Sequence, residues 1–363
     1  MTLTQLRYLA AIIDAGFNIT EAASRLNATQ PGVSKQLKQM EDELGFQIFV
    51  RRGKSLEGLS PAGAKVVERA RVILSETANI RALAADHRNE ARGELAVATT
   101  YTQARFVLPA TLARLRTLHP GIDVRLNPHS EAEALALLGA GAVDAAVVSS
   151  PDRPAATGVV AVPVYRWSLA ALAPRRHPLA AASRPPTLRE IAGHPLVTYA
   201  SAQRPDSSLA RAFGAAGRAP RLACATRDAE VIKTCVRAGM GLGLLAEMAV
   251  AEADAADLAV LDVDGLFPLN TTWVVLRRGH VLRGYVHDWL ADLVPHVGRR
   301  DLRAAMEGGA EPWIEPPHWR EVRGRFQLEA EPRSDLHPAR NVVPFEIAQP
   351  PVRAAERLAV SCG

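Results

Sequence analysis

The stretch NITEAASRLNATQPGVSKQL, residues 18–37, decides the fold of the N-terminal part of the chain. Asn18 followed three residues later by Glu21 is typical of a helix start, because both side chains can satisfy free backbone amides there. The helix that begins here is short and carries Ala22 and Ala23. Small side chains at these positions let two helices cross closely, so the stretch predicts a helix-turn-helix.

The second helix of this pair carries polar side chains along one face. Thr29 can cap it, and Pro31 suits its first turn. Its apolar positions are Val33, Leu37 and Met40, and its opposite face carries Gln30, Ser34, Lys35 and Lys38. An amide can bond base edges, while cations and hydroxyls bond phosphates, so the face fits a DNA major groove. The alternative is the solvated face of an ordinary helical bundle.

The flanking sequence completes a winged arrangement. Thr2 with Gln5 predicts a first helix that runs to about Asp14. Downstream, residues 46–50 predict a strand that leads into a turn at Gly53. The cations around that turn are Arg51, Arg52 and Lys54. A basic hairpin tip beside a recognition helix would neutralise phosphates or reach the minor groove, with an affinity that falls steeply with salt.

Residues 64–87 predict one long helix, since they are rich in Ala and contain neither Pro nor Gly. Its apolar stripe consists of Val66, Ala70, Ile73, Ile80 and Ala84. We expect this stripe to pair with a partner subunit. The alternative is packing onto its own domain.

Composition limits the class of protein. A length of 363 residues predicts two or three domains, and the net charge of +5 permits contact with a polyanion. No apolar run is long enough to span a membrane, and the N-terminus lacks a secretory signal, so a cytoplasmic protein is expected. Cys224, Cys235 and Cys362 lack metal-ligand or disulfide spacing and are expected to be buried thiols, with no metal and no cofactor.

From Gly93 onward, short apolar runs alternate with helices, which predicts a parallel α/β construction. Ligands of such sheets bind beyond the carboxyl ends of strands, near helix N-termini. The first strand ends in TTYTQ, where Thr100, Thr102 and Gln103 could hold a small anion. An ordinary Thr-rich helix cap is the alternative. Ser149 and the loop 198–201 offer further hydroxyls.

The segment TQLRYLAAIIDAGFNITEAASRLNATQPGVSKQLKQMEDELGFQIFVRRGKSLEGLSPAG resembles the N-terminal domain of LysR-type transcriptional regulators along its whole length. The resemblance implies that Gln30, Pro31, Ser34 and Lys35 lie in the DNA groove and that Arg51 or Arg52 lies in the wing. Gly32 departs from the Ala that is frequent in the family, which softens the helix start.

A narrower resemblance links TTYTQARFVLP, VPVYRW, PLVTY and RDAEVIKTCVRAGMGLGLLAEMAV to the CysB-type branch, regulators of sulfur assimilation. It implies a sensor of two α/β subdomains like those of periplasmic binding proteins. The implied ligand is sulfate, an acetylserine-type compound or a related small anion. The residues implied to contact it are Thr100, Thr102 and Gln103, followed by Ser149, Thr198, Ser201 and Ala202. Residues 200–206 and Tyr101 depart from the branch pattern, so the ligand could have changed.

The predicted fold is an N-terminal all-α winged helix-turn-helix with a long linker helix, followed by the two-subdomain α/β sensor. The expected ranges are 1–61 for DNA binding, 62–92 for the linker, 93–297 for the sensor and 298–363 for an extended or disordered tail. Within the sensor, subdomain I takes about 93–163 and 269–297, and subdomain II about 164–268. Trp313, Ile314 and Trp319 could dock on the sensor, but a weakly ordered tail is favoured for this Pro-rich segment.

Function follows from these expectations. The chain is predicted to be a ligand-responsive regulator that binds double-stranded promoter DNA as a homodimer or homotetramer, with RNA polymerase as a further candidate partner. An α/β enzyme is the alternative, but the sequence shows no recognisable catalytic motif. A transport-type solute-binding protein is opposed by the fused DNA-binding unit.

Overall fold

Three helices and a two-stranded hairpin form the N-terminal part of the computed structural model, which describes residues 1–53, 55–88, 92–310 and 314–327. These elements are α1 (Leu3–Asp14), α2 (Ile19–Arg25), α3 (Gln30–Leu44), β1 (Phe49–Arg52) and β2 (Ser55–Leu59). The three helices begin at the predicted caps Thr2, Asn18 and Thr29, each of which accepts a backbone N–H three residues on. Ala22 and Ala23 are buried where α2 meets its neighbours.

A buried carboxylate ties the hairpin to α3. Glu41 Oε1 accepts the backbone N–H groups of Ile48 at 2.8 Å and Phe49 at 3.3 Å, and Oε2 accepts from Arg51 at 3.1 Å. Because all three donors lie on or just before β1, Glu41 fixes the start of the hairpin relative to α3.

The linker helix α4 (Pro61–His87) begins at Ser60 and packs on the hairpin where Gly63 lies. A Cβ at Gly63 would lie 2.0 Å from the carbonyl oxygen of Ile48, so the approach requires glycine. Further along, Asn79 donates to the Gly279 carbonyl and accepts from Val281, each at 2.8 Å. These bonds attach α4 to the C-terminal domain.

Two five-stranded sheets form the C-terminal domain. The first has the order β4-β3-β5-β12-β6 and the second β11-β7-β10-β8-β9. The strands are β3 (Gly93–Thr99), β4 (Ile122–Pro128), β5 (Ala145–Ser150), β6 (Val159–Trp167), β7 (Leu169–Pro174), β8 (Pro195–Tyr199), β9 (Arg221–Thr226), β10 (Leu242–Ala246), β11 (Leu258–Leu261) and β12 (Asn270–Arg277). The helices are α5 (Tyr101–Phe106), α6 (Leu108–Leu118), α7 (Glu131–Ala140), α8 (Leu188–Ala192), α9 (Ser208–Ala215), α10 (Ala229–Arg237) and α11 (Gly284–Leu293).

Both sheets contain parallel and antiparallel strand pairs, whereas the sequence predicted a parallel construction. β3 is parallel to β4 and β5, and β8 is parallel to β9 and β10. In contrast, β12 runs antiparallel to β5 and β6, and β7 runs antiparallel to β10 and β11. The antiparallel strands include β6, β7 and β12, which adjoin the two chain crossovers between the sheets.

Those crossovers lie at Ser168 and at residues 262–269. β6 remains paired with β12 as far as Trp167, opposite Asn270. The first crossover therefore falls at Ser168, later than the expected boundary near residue 164.

The tail prediction was wrong for residues 298–310 and 314–327, which are largely helical and packed. α12 (Arg299–Met306) buries Leu302, Ala305 and Met306, while α13 (Trp319–Val322) and the turn after it bury Trp319 and Phe326. The buried apolar residues of these segments are few and widely spaced, so they give only a weak periodic pattern in the sequence. The packing of the segments therefore could not be predicted from that pattern. The rest of the predicted tail, 328–363, lies outside the described residues. Across the described part of the chain, no helix is long and apolar enough to cross a bilayer.

Candidate functional site

The exposed face of α3 holds the predicted DNA-contacting residues together. Gln30, Pro31, Lys35 and Lys38 are exposed, and Ser34 is half-buried and accepts a hydrogen bond from Gln30 at 3.0 Å. Among the described residues, no carboxylate pairs with Lys35 or Lys38. Thr29 acts as the cap, accepting from Gly32 N–H at 3.3 Å. The two lysines are therefore free to bind phosphates.

The two described cations of the hairpin differ in environment. Arg51 is held by buried Glu41 and by Gln47, which leaves its side chain 39% exposed. Arg52 is 85% exposed, and its one ion-pair partner among the described residues is Glu57, at 3.3 Å. Arg52 is thus the freer phosphate-binding group, and Arg51 mainly braces the hairpin. Lys54 lies outside the described residues.

A cleft of about 390 Å³ lies where the carboxyl ends of parallel strands from both sheets meet. All seven residues predicted to contact a ligand line it: Thr100, Thr102, Gln103, Ser149, Thr198, Ser201 and Ala202. They follow or end β3, β5 and β8, as the topology rule for α/β sheets requires. The lining residues that the sequence analysis missed include His129, Glu131, Trp167, Arg204, Arg227 and Asn270.

Gln103 is fully buried, and its side-chain amide is satisfied within the protein. Nε2 donates to Ser149 Oγ at 3.1 Å and to Thr272 Oγ1 at 3.2 Å, while Oε1 accepts from the Tyr165 hydroxyl at 2.5 Å. Burial raises the pKa of the Tyr165 phenol, so it remains a donor. Gln103 therefore positions its neighbours, and it has no remaining side-chain donor for a ligand.

Counting donors in this network leaves one proton for the cleft. Trp167 Nε1, which can only donate, bonds Thr272 Oγ1 at 3.1 Å. Thr272 Oγ1 thus accepts from both Trp167 and Gln103, so its own proton goes to Ser149 Oγ, 3.0 Å away. Ser149 then accepts two hydrogen bonds. Its own hydroxyl proton is directed elsewhere, and half-buried Ser149 faces the cleft.

Thr100 adds a second free donor. It caps α5 without a side-chain hydrogen bond, and its hydroxyl has no partner among the described residues. The first helical bond of α5 runs from Ala104 N–H to the Thr100 carbonyl. Within the described residues, no carbonyl accepts from the amides of residues 101–103, which precede that bond.

The remaining predicted contacts are less available. Thr102 donates to the Tyr199 hydroxyl at 3.1 Å, and fully buried Thr198 donates to the Leu244 carbonyl at 2.8 Å. Ser201 is exposed at the edge of the cleft, and Ala202 can offer only its backbone. Among the buried or half-buried hydroxyls predicted to contact a ligand, those of Thr100 and Ser149 keep a donor for the cleft, whereas those of Thr102 and Thr198 do not.

Ion pairs join the two subdomains around the cleft, and in three of them an arginine of the second subdomain binds a carboxylate of the first. Arg204 donates to Glu131 at 2.5 Å, Arg227 donates to Glu133 at 3.2 Å, and Arg211 pairs with Asp152. Partners lie 59 to 94 residues apart, so sequence alone could not reveal them. The arginines near the cleft are neutralised by carboxylates, which leaves uncharged donors at its centre.

Two of these carboxylates, Glu133 and Asp152, hold their charge over a wide pH range. Hydrogen bonds from Ser130, with a smaller contribution from Arg227, lower the pKa of Glu133 to about 2. The hydrogen bond from Arg211 lowers the pKa of Asp152. The ion pairs of Glu133 and Asp152 therefore persist well below neutral pH.

Comparison with known proteins accounts for both parts of the chain. Residues 3–64 match the family described as bacterial regulatory helix-turn-helix protein, lysR family, and residues 88–297 match the LysR substrate binding domain. The chain belongs to the LysR family of transcriptional regulators. The predicted family and fold class are thereby confirmed.

Relatives of this LysR-family chain span nearly its whole described length. It is 36% identical over 305 residues to the HTH-type transcriptional regulator CysB of Haemophilus influenzae, covering 84% of this chain and 94% of that protein. It is 38% identical over 314 residues to the regulator Cbl of Escherichia coli, covering 86% and 98%. It is 35% identical over 307 residues to the regulator SsuR of Burkholderia cenocepacia, covering 84% and 99%.

Solved structures agree with the fold of this LysR-family chain. The cofactor-binding domain of the Cbl regulator is 34% identical, with a TM-score of 0.57, over 61% of this chain and 96% of that one. Full-length OxyR from Pseudomonas aeruginosa superposes with a TM-score of 0.62 over 82% of this chain and 99% of that one, at 24% identity. The second likeness concerns the fold alone.

Proposed function

We propose that this LysR-family regulator binds promoter DNA and senses a small anionic sulfur compound in the cleft, and so controls genes of sulfur assimilation. The observation that carries the ligand part is the pair of free hydroxyls, Thr100 and Ser149, beside the amides of residues 101–103. Neutral donors of this kind bind a compact anion without a buried countercharge.

The assignment to sulfur metabolism draws on the relatives CysB, Cbl and SsuR and on the CysB-type motifs in the sequence. Sulfate, an acetylserine-type compound or a related anion would suit the cleft volume and its donors.

DNA binding is assigned to α3 and the hairpin. Lys35, Lys38 and Arg52 would neutralise phosphates, and Gln30 and Ser34 would face base edges. An operator that binds two such units requires at least a homodimer. A homotetramer would contain two of these dimers. RNA polymerase is a further candidate partner of a regulator bound at a promoter.

The assembly is supported by an apolar stripe left exposed on α4. Val72, Ile73, Ile80 and Leu83 are between 40% and 67% exposed. Helices with such a stripe pair with another helix, so we assign it to the homodimer contact.

A direct test combines two measurements on the full chain. Thermal unfolding in sulfate, thiosulfate, acetylserine and alkanesulfonates, at matched ionic strength, should show a selective rise with at least one of them. Fluorescence anisotropy with a sulfur-gene promoter fragment should show binding that weakens steeply with salt. The ligand assignment fails if no compound raises the unfolding temperature above a chloride control. The DNA assignment fails if binding is absent or insensitive to salt.

A further inference from the structure

The segment formed by residues 314–327, here called the C-terminal strap, follows the region that matches the LysR substrate binding domain. It runs along the edge strand β6 of the first sheet. Arg166 N–H donates to the Pro317 carbonyl at 2.9 Å, and the Arg166 guanidinium pairs with Glu315 at 2.9 Å. Arg166 and His318 also form an isolated parallel bridge. The strap thus continues the first sheet by a short pairing.

The strap also binds the second subdomain. Arg320 donates to Glu247 at 3.1 Å and to both carboxylate oxygens of Asp264, at 2.8 and 2.6 Å. Glu247 follows β10 of the second sheet and accepts the backbone N–H of Ser168 at 2.8 Å. Asp264 lies in the other crossover. Arg320 therefore links both crossovers, the places where the two subdomains would rotate relative to each other.

An aromatic cluster connects the strap to the hydrogen-bond network beside the cleft. The rings of Trp319 and Phe326 are buried and lie 5.1 and 5.5 Å, centroid to centroid, from the ring of Tyr165. The two strap rings stack on each other at 5.5 Å. The hydroxyl of Tyr165 donates to Gln103, whose amide in turn fixes Ser149 and Thr272.

We infer that Trp319 and Phe326 are positioning residues of the effector cleft, an inference that rests on the proposed anion site. Their rings hold Tyr165 in place, and Tyr165 occupies the acceptor oxygen of Gln103. With that bond in place, both Nε2 protons point at Ser149 and Thr272, and the free proton of Ser149 points into the cleft. If the strap rings are removed, Tyr165 can move, Gln103 loses its fixed orientation, and the donor that meets the anion is no longer preorganised.

The test uses the full-length chain and inorganic sulfate as the probe, with affinity measured by calorimetry. Trp319→Ala and Tyr165→Phe should each weaken sulfate binding about tenfold, the size expected for losing one preorganised hydrogen bond. The double variant should bind sulfate no more weakly than the weaker-binding single variant, because both substitutions act through the Tyr165 hydroxyl. Trp319→Phe should retain most of the affinity. DNA affinity without sulfate should stay unchanged.

Leu302→Ala is the matched control. Leu302 is equally buried, in α12 outside the strap. Its truncation should lower the unfolding temperature and leave the sulfate affinity unchanged. The inference would be overturned if the losses of sulfate affinity in the two single variants added up in the double variant. An unchanged sulfate affinity in Trp319→Ala would also overturn it.

Hydrogen exchange separates this inference from the proposed function. In the absence of any anion, Trp319→Ala and Tyr165→Phe should speed exchange of the amides of α5, which carries Gln103, and leave α7 as protected as in the wild type. Wild-type protection of α5 in both variants would overturn the positioning role. Failure of the wild-type chain to bind sulfate, with faster α5 exchange in the variants, would contradict the sulfate assignment alone.

Discussion

At the scale of single residues, the cleft depends on which hydroxyls are already engaged. Thr100 and Thr198 were both predicted to contact the ligand, and both line the cleft. The hydroxyl of Thr198 is bonded to the Leu244 carbonyl, whereas that of Thr100 has no partner among the described residues. The sequence could place both threonines at strand ends, but Leu244 lies 46 residues from Thr198, so only the fold distinguishes their roles.

The same substitution at these two positions should have opposite effects. Thr100→Val should abolish most of the anion response, measured by calorimetry, and barely change stability. Thr198→Val should cost about 1 kcal/mol of stability in chemical denaturation, because the Leu244 carbonyl loses its donor, and should change anion affinity little. If the two variants exchanged these phenotypes, the assignment of the free hydroxyl would be wrong.

At the scale of elements, caps and periodicity predicted the N-terminal helices closely. Thr2, Asn18 and Thr29 begin α1, α2 and α3 as expected, because capping is a local interaction that the sequence carries in full. The antiparallel course of β6 and β12 and the packed α12 and α13 were not predicted. They depend on contacts between residues far apart in the chain.

The contact between α4 and the hairpin tests this packing. Gly63→Ala should destabilise the protein by about 1–3 kcal/mol, because the new Cβ would meet the Ile48 carbonyl at 2.0 Å and force the backbone to shift. Gly58→Ala, on the same hairpin, should change stability by less than about 0.5 kcal/mol, since no atom lies within 4 Å of its Cβ position. Equal unfolding free energies for the two variants would contradict the close approach.

The exposed stripe of α4 provides a second test at this scale. Ile80→Glu should shift the assembly toward monomers in sedimentation equilibrium and weaken promoter binding, because a charge replaces a side chain that is 67% exposed in the single chain. Ala78→Glu places the same charge on the opposite side of the helix and should leave the assembly unchanged. A dimer that tolerates Ile80→Glu would rule out this face as its contact.

At the scale of the whole molecule, stability should depend on pH through two half-buried histidines. Burial lowers the pKa values of His287 and His296 below the ordinary value of 6.5. The unfolded chain therefore binds more protons than the folded chain below about pH 6.5, so the unfolding free energy falls as the pH is lowered toward the folded pKa values.

Urea denaturation between pH 7.5 and pH 5 measures this dependence. His296→Gln should flatten the slope, because one of the responsible groups is gone. A wild-type unfolding free energy that rises as the pH falls through this window would contradict the role of these histidines.

We expect an anion in the cleft and DNA on α3 to be coupled through one molecule. The two sites lie on separate domains, which α4 joins through the bonds of Asn79 to the Gly279–Val281 segment. If they are coupled, linkage requires that each ligand change the affinity of the other by the same factor. Sequence analysis predicted both sites, but it could not supply this connection, since Asn79 and its partners are about 200 residues apart.

The most direct measurement is a pair of titrations on the full-length protein at constant ionic strength. Promoter affinity is measured by anisotropy with and without the stabilising anion, and anion affinity by calorimetry with and without saturating promoter. We expect equal factors of at least about fivefold in both titrations, and no change in either for Thr100→Val. Equal DNA affinity with and without a bound anion in the wild-type chain would contradict this coupling.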